Sequence, residues 1–453
     1  MASSANLILR REPAIIRLLF FLAPCITLLA PLATVSALIL LSCGCVAIAL
    51  LHRQSASELL KFDLVLALFA VVALYLAINA TWSLDPSRAF SKVLWFAVVV
   101  MMTFAASRAL GGWNDQQIRI AVIAFLAGIS VGLAFVLLEL ATENRLTLLL
   151  FNMLPITRPG SFRKMGVEDG QIVRLAAFEL NRNVAVMLLM LWPALLCLTR
   201  LADKPWRNIG IAVLIAGTAA ATMFSEHETS KIALIVSAVV FVLARFWTVP
   251  VRRTLLVCWC LVLMLVVPLA SLAAKEELYR LDWLPYSAKA RITLWGHTAG
   301  KVSEHPFFGV GLESARKLNA MEKQGPQGRV LVDDVNRRAL PVTVGFHAHN
   351  VFLQTWYELG VVGAILLLAA GSAVIGYIGQ LARNLQPFML AEFAAFFATA
   401  ATGWGMWQSW LMALTGLAAL YAVLAVNFAR GTAPANEFRL AARSSMASGE
   451  RAA

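Results

Sequence analysis

At 453 residues the chain could hold several soluble domains, but 60% of it is hydrophobic, 14% is charged and the mean hydropathy is +0.76. Long stretches almost free of charge exclude a soluble globular protein and indicate transmembrane helices. The formal charge of +13 is then read as loop lysines and arginines of a membrane protein, or as a sign of an anionic ligand, rather than of nucleic acid.

In chain order, Arg10 and Arg11 precede an apolar run without a convincing small-residue cleavage site, which reads as a retained first helix. At about 20 apolar residues per crossing, twelve spans are predicted: near 14–30, 33–51, 63–80, 92–108, 120–141, 183–200, 208–224, 231–249, 254–274, 351–378, 388–405 and 408–428. Only Pro31 separates the first pair, and Gly403, Trp404 and Gly405 form a loose hairpin after the eleventh. Basic residues in the short loops, among them Arg53, Lys61, Arg108, Arg119, Arg200, Lys204, Arg207, Arg252, Arg253 and Arg383, all fall on one side. By the positive-inside rule both termini are cytoplasmic. The expected fold is all-α, a polytopic membrane bundle of about 12 transmembrane helices forming one integral membrane domain over 1–453.

The opposite face carries two long polar segments, 142–182 and 275–350, and loops of that length are usually functional. The first holds Arg145, Arg158, Arg163, Lys164, Arg174 and Arg182 against Glu143, Glu168, Asp169 and Glu179; the second holds eleven Lys/Arg against eight Asp/Glu. Such an excess suggests that something anionic is handled there, although long loops also translocate regardless of charge. Residues 431–453 read as a disordered cytoplasmic tail. The six cysteines all lie in apolar runs, as buried small hydrophobes rather than disulfides or zinc ligands. No P-loop or dinucleotide glycine pattern supports nucleotide chemistry.

The segment HAHNVFLQTWYELGVVG, 347–363, opens the tenth span. His349 at the helix start, with Asn350 as its cap, is a candidate general base, since a helix N-terminus favours the neutral imidazole; an interfacial capping histidine is the plainer alternative. A metal site at His347 and His349 competes with both, but residues i and i+2 do not share a helix face and a third ligand would be needed. Asp333 and Asp334 in the same loop read as solvated acids. Glu358 lies nine residues on, roughly 13 Å deeper at 1.5 Å per residue, and with Gln354 on the same face it reads as a buried network supporting the helix. Gly360 and Gly363 are spaced for close helix approach.

The spacing His349–Asn350, nine residues, Gly360, two residues, Gly363 resembles the H-N-x9-G-x-x-G signature of O-antigen ligases, a family that also holds O-antigen polymerases. RITLWGHTAGKVSEHPFFGVGLESA, from Arg291, is similar to the family's arginine-to-tryptophan stretch followed by HP-x-x-GVG. The resemblance implies a GT-C-like enzyme of the bacterial inner membrane with its active site facing the periplasm, roofed by 275–350. It implies a polysaccharide on undecaprenyl diphosphate as donor and the lipid A–core as acceptor. Because the donor bond is already activated, no cofactor and no metal are expected, and one-step attack would invert the anomeric carbon. His349 would be the base and Arg291 the principal diphosphate contact, an arginine fork pairing two oxygens at once. Arg182 and Asn181 at the start of the sixth span, and more weakly Arg174, would help to bind substrate. Lys231 stands where many members have an arginine and would bind phosphate only as a point charge. His227, nearby, reads as a surface residue. Trp295 and Trp356 would pack lipid or sugar, or simply anchor the interface. A polymerase with the same donor is the nearest alternative, and a polyprenyl-lipid or solute transporter is the alternative of another class.

Overall fold

The computed structural model describes residues 2–153, 165–168, 171–175, 177–201, 203–324, 331–333 and 338–431. The expected tail from residue 432, with Arg158, Arg163, Lys164, Asp169 and Asp334, lies outside the described residues. Sixteen α-helices occur among them. The first seven are α1 (Ala2–Leu29), α2 (Thr34–Leu51), α3 (Ala56–Leu59), α4 (Leu64–Ala80), α5 (Pro86–Gly111), α6 (Asp115–Ala141) and α7 (Arg145–Met153). A hairpin of β1 (Met165–Glu168) and β2 (Gln171–Leu175) follows, then α8 (Asn181–Leu201), α9 (Lys204–Phe224), α10 (Glu228–Phe246) and α11 (Thr248–Lys275). The chain continues through α12 (Tyr286–Val302), α13 (Ser314–Gln324), the short antiparallel pair β3 (Leu331–Val332) and β4 (Ala339–Leu340), α14 (Val351–Gln380), α15 (Gln386–Thr402) and α16 (Ser409–Gly431).

This is an all-α polytopic membrane protein. A helix stands at each of the twelve predicted spans, and ten of them are long and apolar enough to cross a membrane by length and composition. The other two, α4 and α15, have 17 residues each, the lower edge of what spans a hydrocarbon core. The polar segments are folded rather than plain loops. The first contains α7 and the β1–β2 hairpin; the second contains α12, α13 and the β3–β4 pair.

At the centre of the bundle α8 is buried continuously from Asn183 to Cys197, apolar all round as a core helix should be. Tyr421 of α16 stacks on Phe125 of α6 at 4.1 Å between centroids. The six cysteines are unpaired.

The feature that most shapes the site is a break in α14. Gly360 has φ +65° and ψ −162°, which no regular helix contains. Its backbone meets that of Phe307, where a Cβ would collide, and Gly309, at φ +70°, meets the backbone of Glu358 in the same way. Only glycine reaches these angles without strain and permits that approach. The carbonyls freed by the break find donors in the HPFFGVG segment: Val310 N–H donates to Tyr357 O at 3.0 Å and Gly311 N–H to Glu358 O at 3.1 Å. In return Val361 N–H donates to Pro306 O at 2.9 Å. Asn79 of α4 closes the arrangement, donating to Phe308 O at 2.8 Å and accepting from Leu312 N–H at 2.7 Å. The sequence reading of Gly360 as a helix–helix contact is therefore corrected: it is a left-handed hinge point clamped by a loop. Gly363, one turn later, leaves room for the Leu359 side chain that the break tucks over it.

Candidate active site

Asn350 caps α14, its side chain accepting from Leu353 N–H at 2.9 Å. Immediately before it, His349 sits in the left-handed region at φ +53°. That conformation turns its Nδ1 onto Gly403 O at 3.0 Å. A carbonyl only accepts, so Nδ1 carries the hydrogen and, in the neutral ring, Nε2 keeps the lone pair. Burial, and next the positive charge of Arg291, hold His349 well below the ordinary imidazole value, at about 4, with the Gly403 carbonyl pulling the other way. The imidazole is neutral at physiological pH, chiefly through burial and Arg291.

His347 lies against it, ring centroids 4.1 Å apart. Its Nε2 is 3.0 Å from Gln408 Nε2, and Gln408 Oε1 accepts from Trp410 Nε1–H at 2.7 Å. The tryptophan fixes the amide orientation, so Gln408 donates to His347 and occupies its Nε2 lone pair. Burial, then His349 and Arg316, lower the His347 pKa to about 3. Each histidine thus has one nitrogen committed to the protein. Among the described residues no group of three His, Cys, Asp or Glu is placed to hold a metal ion.

Arg291 projects from α12 and is largely withdrawn from water, which lowers its pKa, partly offset by Glu228. No hydrogen bond or ion pair of its side chain occurs among the described residues. Withdrawing a cation from water without a direct partner is costly, and Glu228 offsets that only in part. Trp295, one turn further along α12, donates its indole N–H to Ala348 O at 2.6 Å, holding the two-histidine segment against the helix. The same helix is tethered twice more. Lys289 and Asp333 form a buried ion pair at 2.8 Å. His297 meets Glu322 at 2.9 Å, and Glu322 accepts from Val344 N–H at 3.1 Å.

Arg182 reaches the site through aromatic rings: its guanidinium lies 5.8 Å from the Trp410 ring. Its Nε and Asn181 Oδ1 are buried with no hydrogen-bond partner among the described residues. Lys231 pairs with Glu228 at 2.9 Å in the first turn of α10. Arg174 is exposed on β2, and no described contact joins it to the histidines. The surface reading of His227 is corrected: it is buried, stacked on Trp404 at 4.5 Å and bonded to Ser230 Oγ at 2.6 Å. Burial and Arg291 lower its pKa to about 3.

Glu358 is fully buried below the histidines. It accepts from Trp407 Nε1–H at 2.5 Å, from Gln354 Nε2 at 3.3 Å and from the Glu313 and Ala315 amides at 3.2 and 3.4 Å. One carboxylate thus joins the break in α14 to the start of α13 and to the loop after α15. Trp356 donates to Leu263 O of α11 at 2.7 Å.

The α15–α16 loop, residues 403–408, is the part sequence reasoning passed over as a loose hairpin. Gly403 fixes the tautomer of His349, Gly405 gives the His347 ring room, Met406 N–H donates to Gln354 at 3.3 Å, Trp407 holds Glu358 and Gln408 holds His347. Its signal was the composition GWGMWQSW, rich in glycine and tryptophan at a helix end.

Two comparisons of the sequence with known proteins bear on this region. The sequence profile of the O-antigen ligase family matches residues 209–368. That match covers about a third of the chain and is a likeness to the O-antigen ligase domain. A Rickettsia conorii protein provisionally named a polysaccharide ligase is 24% identical over 209 residues, 46% of this chain and 47% of that relative. The chain thus aligns with about half the length of this curated relative. The matched region runs from α9 into α14 and contains Lys231, Arg291, Trp295, both histidines and the Gly360 break. Arg182 and the 403–408 loop lie outside the match and are brought to that region by the fold.

Proposed function

We propose that the protein is an O-antigen ligase of the bacterial inner membrane, transferring a polysaccharide from undecaprenyl diphosphate to a hydroxyl of the lipid A–core. In this reading both termini are cytoplasmic, the histidine site faces the periplasm, and the bundle acts as a GT-C-like glycosyltransferase. The acceptor oxygen attacks the anomeric carbon, the bond from that carbon to the phosphate oxygen breaks, and the configuration inverts. His349 Nε2 takes the hydroxyl proton while Nδ1 stays bonded to Gly403 O. The departing diphosphate carries its charge to Arg291, with Arg182, Asn181 and Lys231 as further contacts.

One observation carries the reading: a neutral histidine, with no hydrogen bond to its Nε2 among the described residues, lies within the field of a half-buried arginine that has no direct ion-pair partner among them. The two are functionally linked. A diphosphate beside Arg291 offsets the charge that lowers the His349 pKa, so donor binding makes the base stronger when it is needed.

The test is reconstitution of purified protein with lipid-linked glycan and lipid A–core, with and without EDTA, for wild type and His349→Ala. Ligation is expected with the wild type under both conditions and not with the variant. Ligation surviving in the variant overturns the base assignment, ligation abolished by EDTA revives a metal at the histidines, and extension of the lipid-linked glycan instead of ligation identifies a polymerase.

A further inference from the structure

At the far end of α8 from Arg182, about 30 Å away at 1.5 Å per residue, three more arginines meet. Arg200 from the last turn of α8, Arg207 from the first turns of α9 and Arg245 from the last turn of α10 line one cavity of about 250 Å³. Asn384, from the turn between α14 and α15, and Thr199 add polar atoms, and no carboxylate lines it. No hydrogen bond or ion pair of the three guanidinium groups occurs among the described residues. Three separate helices therefore bring like charges to one small space with no carboxylate in its lining, a repulsion that a bound anion would relieve.

Two further observations say what kind of anion. The cavity has an apolar wall, Leu196 and Phe388, beside its cationic rim. Exposed Trp206 and Trp247 stand in the chain next to Arg207 and two residues after Arg245, on the first turn of α9 and at the start of α11. Exposed tryptophans at helix ends mark the headgroup level of a bilayer. A basic pocket between helices at that depth fits an anionic lipid headgroup, its phosphate in the guanidinium forks and its glycerol and first methylenes on the wall.

We propose that Arg200, Arg207 and Arg245 form a binding site for the phosphate of an anionic phospholipid, in the leaflet opposite the histidine site. This site is independent of the ligase chemistry and does not rest on that assignment. Arginine side chains there join the ends of α8, α9 and α10 through a shared lipid, so the lipid is a structural ligand of the bundle.

The test uses the full-length protein, delipidated in neutral detergent and reloaded with phosphatidylglycerol or phosphatidylcholine, with retained lipid counted by native mass spectrometry. Wild type is expected to retain phosphatidylglycerol about tenfold better, and Arg200→Gln/Arg207→Gln/Arg245→Gln to retain both lipids equally. The corresponding triple lysine substitution keeps the charge and should preserve most of the preference, which separates loss of the site from misfolding. Equal retention by the wild type, or an unchanged preference in the glutamine variant, overturns the proposal. Displacement of phosphatidylglycerol by millimolar inorganic diphosphate would also overturn it, assigning the pocket to a soluble anion.

Discussion

Two regions on the same stretch of chain, nine residues apart, are built in opposite ways. Around Glu358 and Gly360 the broken backbone and the buried carboxylate are served by donors: Val310, Gly311, Glu313, Ala315, Trp407 and Gln354. Around His347 and His349 the protein fixes one nitrogen of each ring and leaves unspent the His349 Nε2 lone pair, the guanidinium of Arg291 and Arg182 Nε. A satisfied polar network gives rigidity, whereas an unsatisfied one gives reactivity or affinity at a cost in stability. In the proposed reaction the lower region would be the mount and the upper one the working surface.

Substitutions should separate the two. Gly360→Ala forces a left-handed alanine into the backbone of Phe307, costing about 2–5 kcal/mol from strain and overpacking together. Folded protein recovered from membranes should fall sharply, and activity with it, as read by size-exclusion yield. His349→Ala should instead leave the yield intact while turnover drops by about 10²–10⁴, the usual worth of a positioned base. A variant that loses yield along with turnover would make His349 part of the mount.

Arg291→Gln is expected to lower turnover by about 10²–10³, the scale for removing one charge-stabilising donor. It should also move the acid limb of kcat/KM upward. The sign follows from electrostatics: a cation disfavours a second positive charge, so its removal lets His349 protonate at higher pH than about 4. An acid limb that stays in place would place Arg291 outside the reach of the base. Gln408→Ala removes two neutral hydrogen bonds, one to His347 and one from Trp410, each worth about 0.5–1.5 kcal/mol, and should slow turnover only a few-fold.

Stability should also depend on pH. His227, His347 and His349 titrate at about 3, 3 and 4 when folded, against roughly 6.5 when unfolded. The unfolded chain therefore binds more protons between these values, and stability falls as pH drops from about 6.5 towards 4. A modest decrease in melting temperature between pH 7 and pH 5 should be seen in the wild type, and less of it in His227→Gln.

What the sequence disclosed follows the range of each interaction. Helix positions were legible because a bilayer imposes a simple length and polarity rule on every crossing. The pairing of Gln354 with Glu358 was legible because it spans one helical turn. The break at Gly360 was not, since a glycine in an apolar run reads equally as a packing contact, and only Gly309, some fifty residues earlier, reveals the difference. Nor was the role of residues 403–408: Gly403 and Met406 act through backbone carbonyl and amide groups that every sequence possesses, and Trp407 and Gln408 act through side chains on partners far away in the chain. The burial of His227 depended on Trp404, a partner from the same unread loop.

The left-handed backbone of His349 has one more consequence. Such a conformation in a residue with a Cβ costs on the order of 1–3 kcal/mol, and asparagine or glycine would adopt it more readily. His349→Asn should therefore give a chain that withstands heat as well as or better than the wild type and is inert. Thermal selection alone would discard this histidine; only selection for activity would keep it.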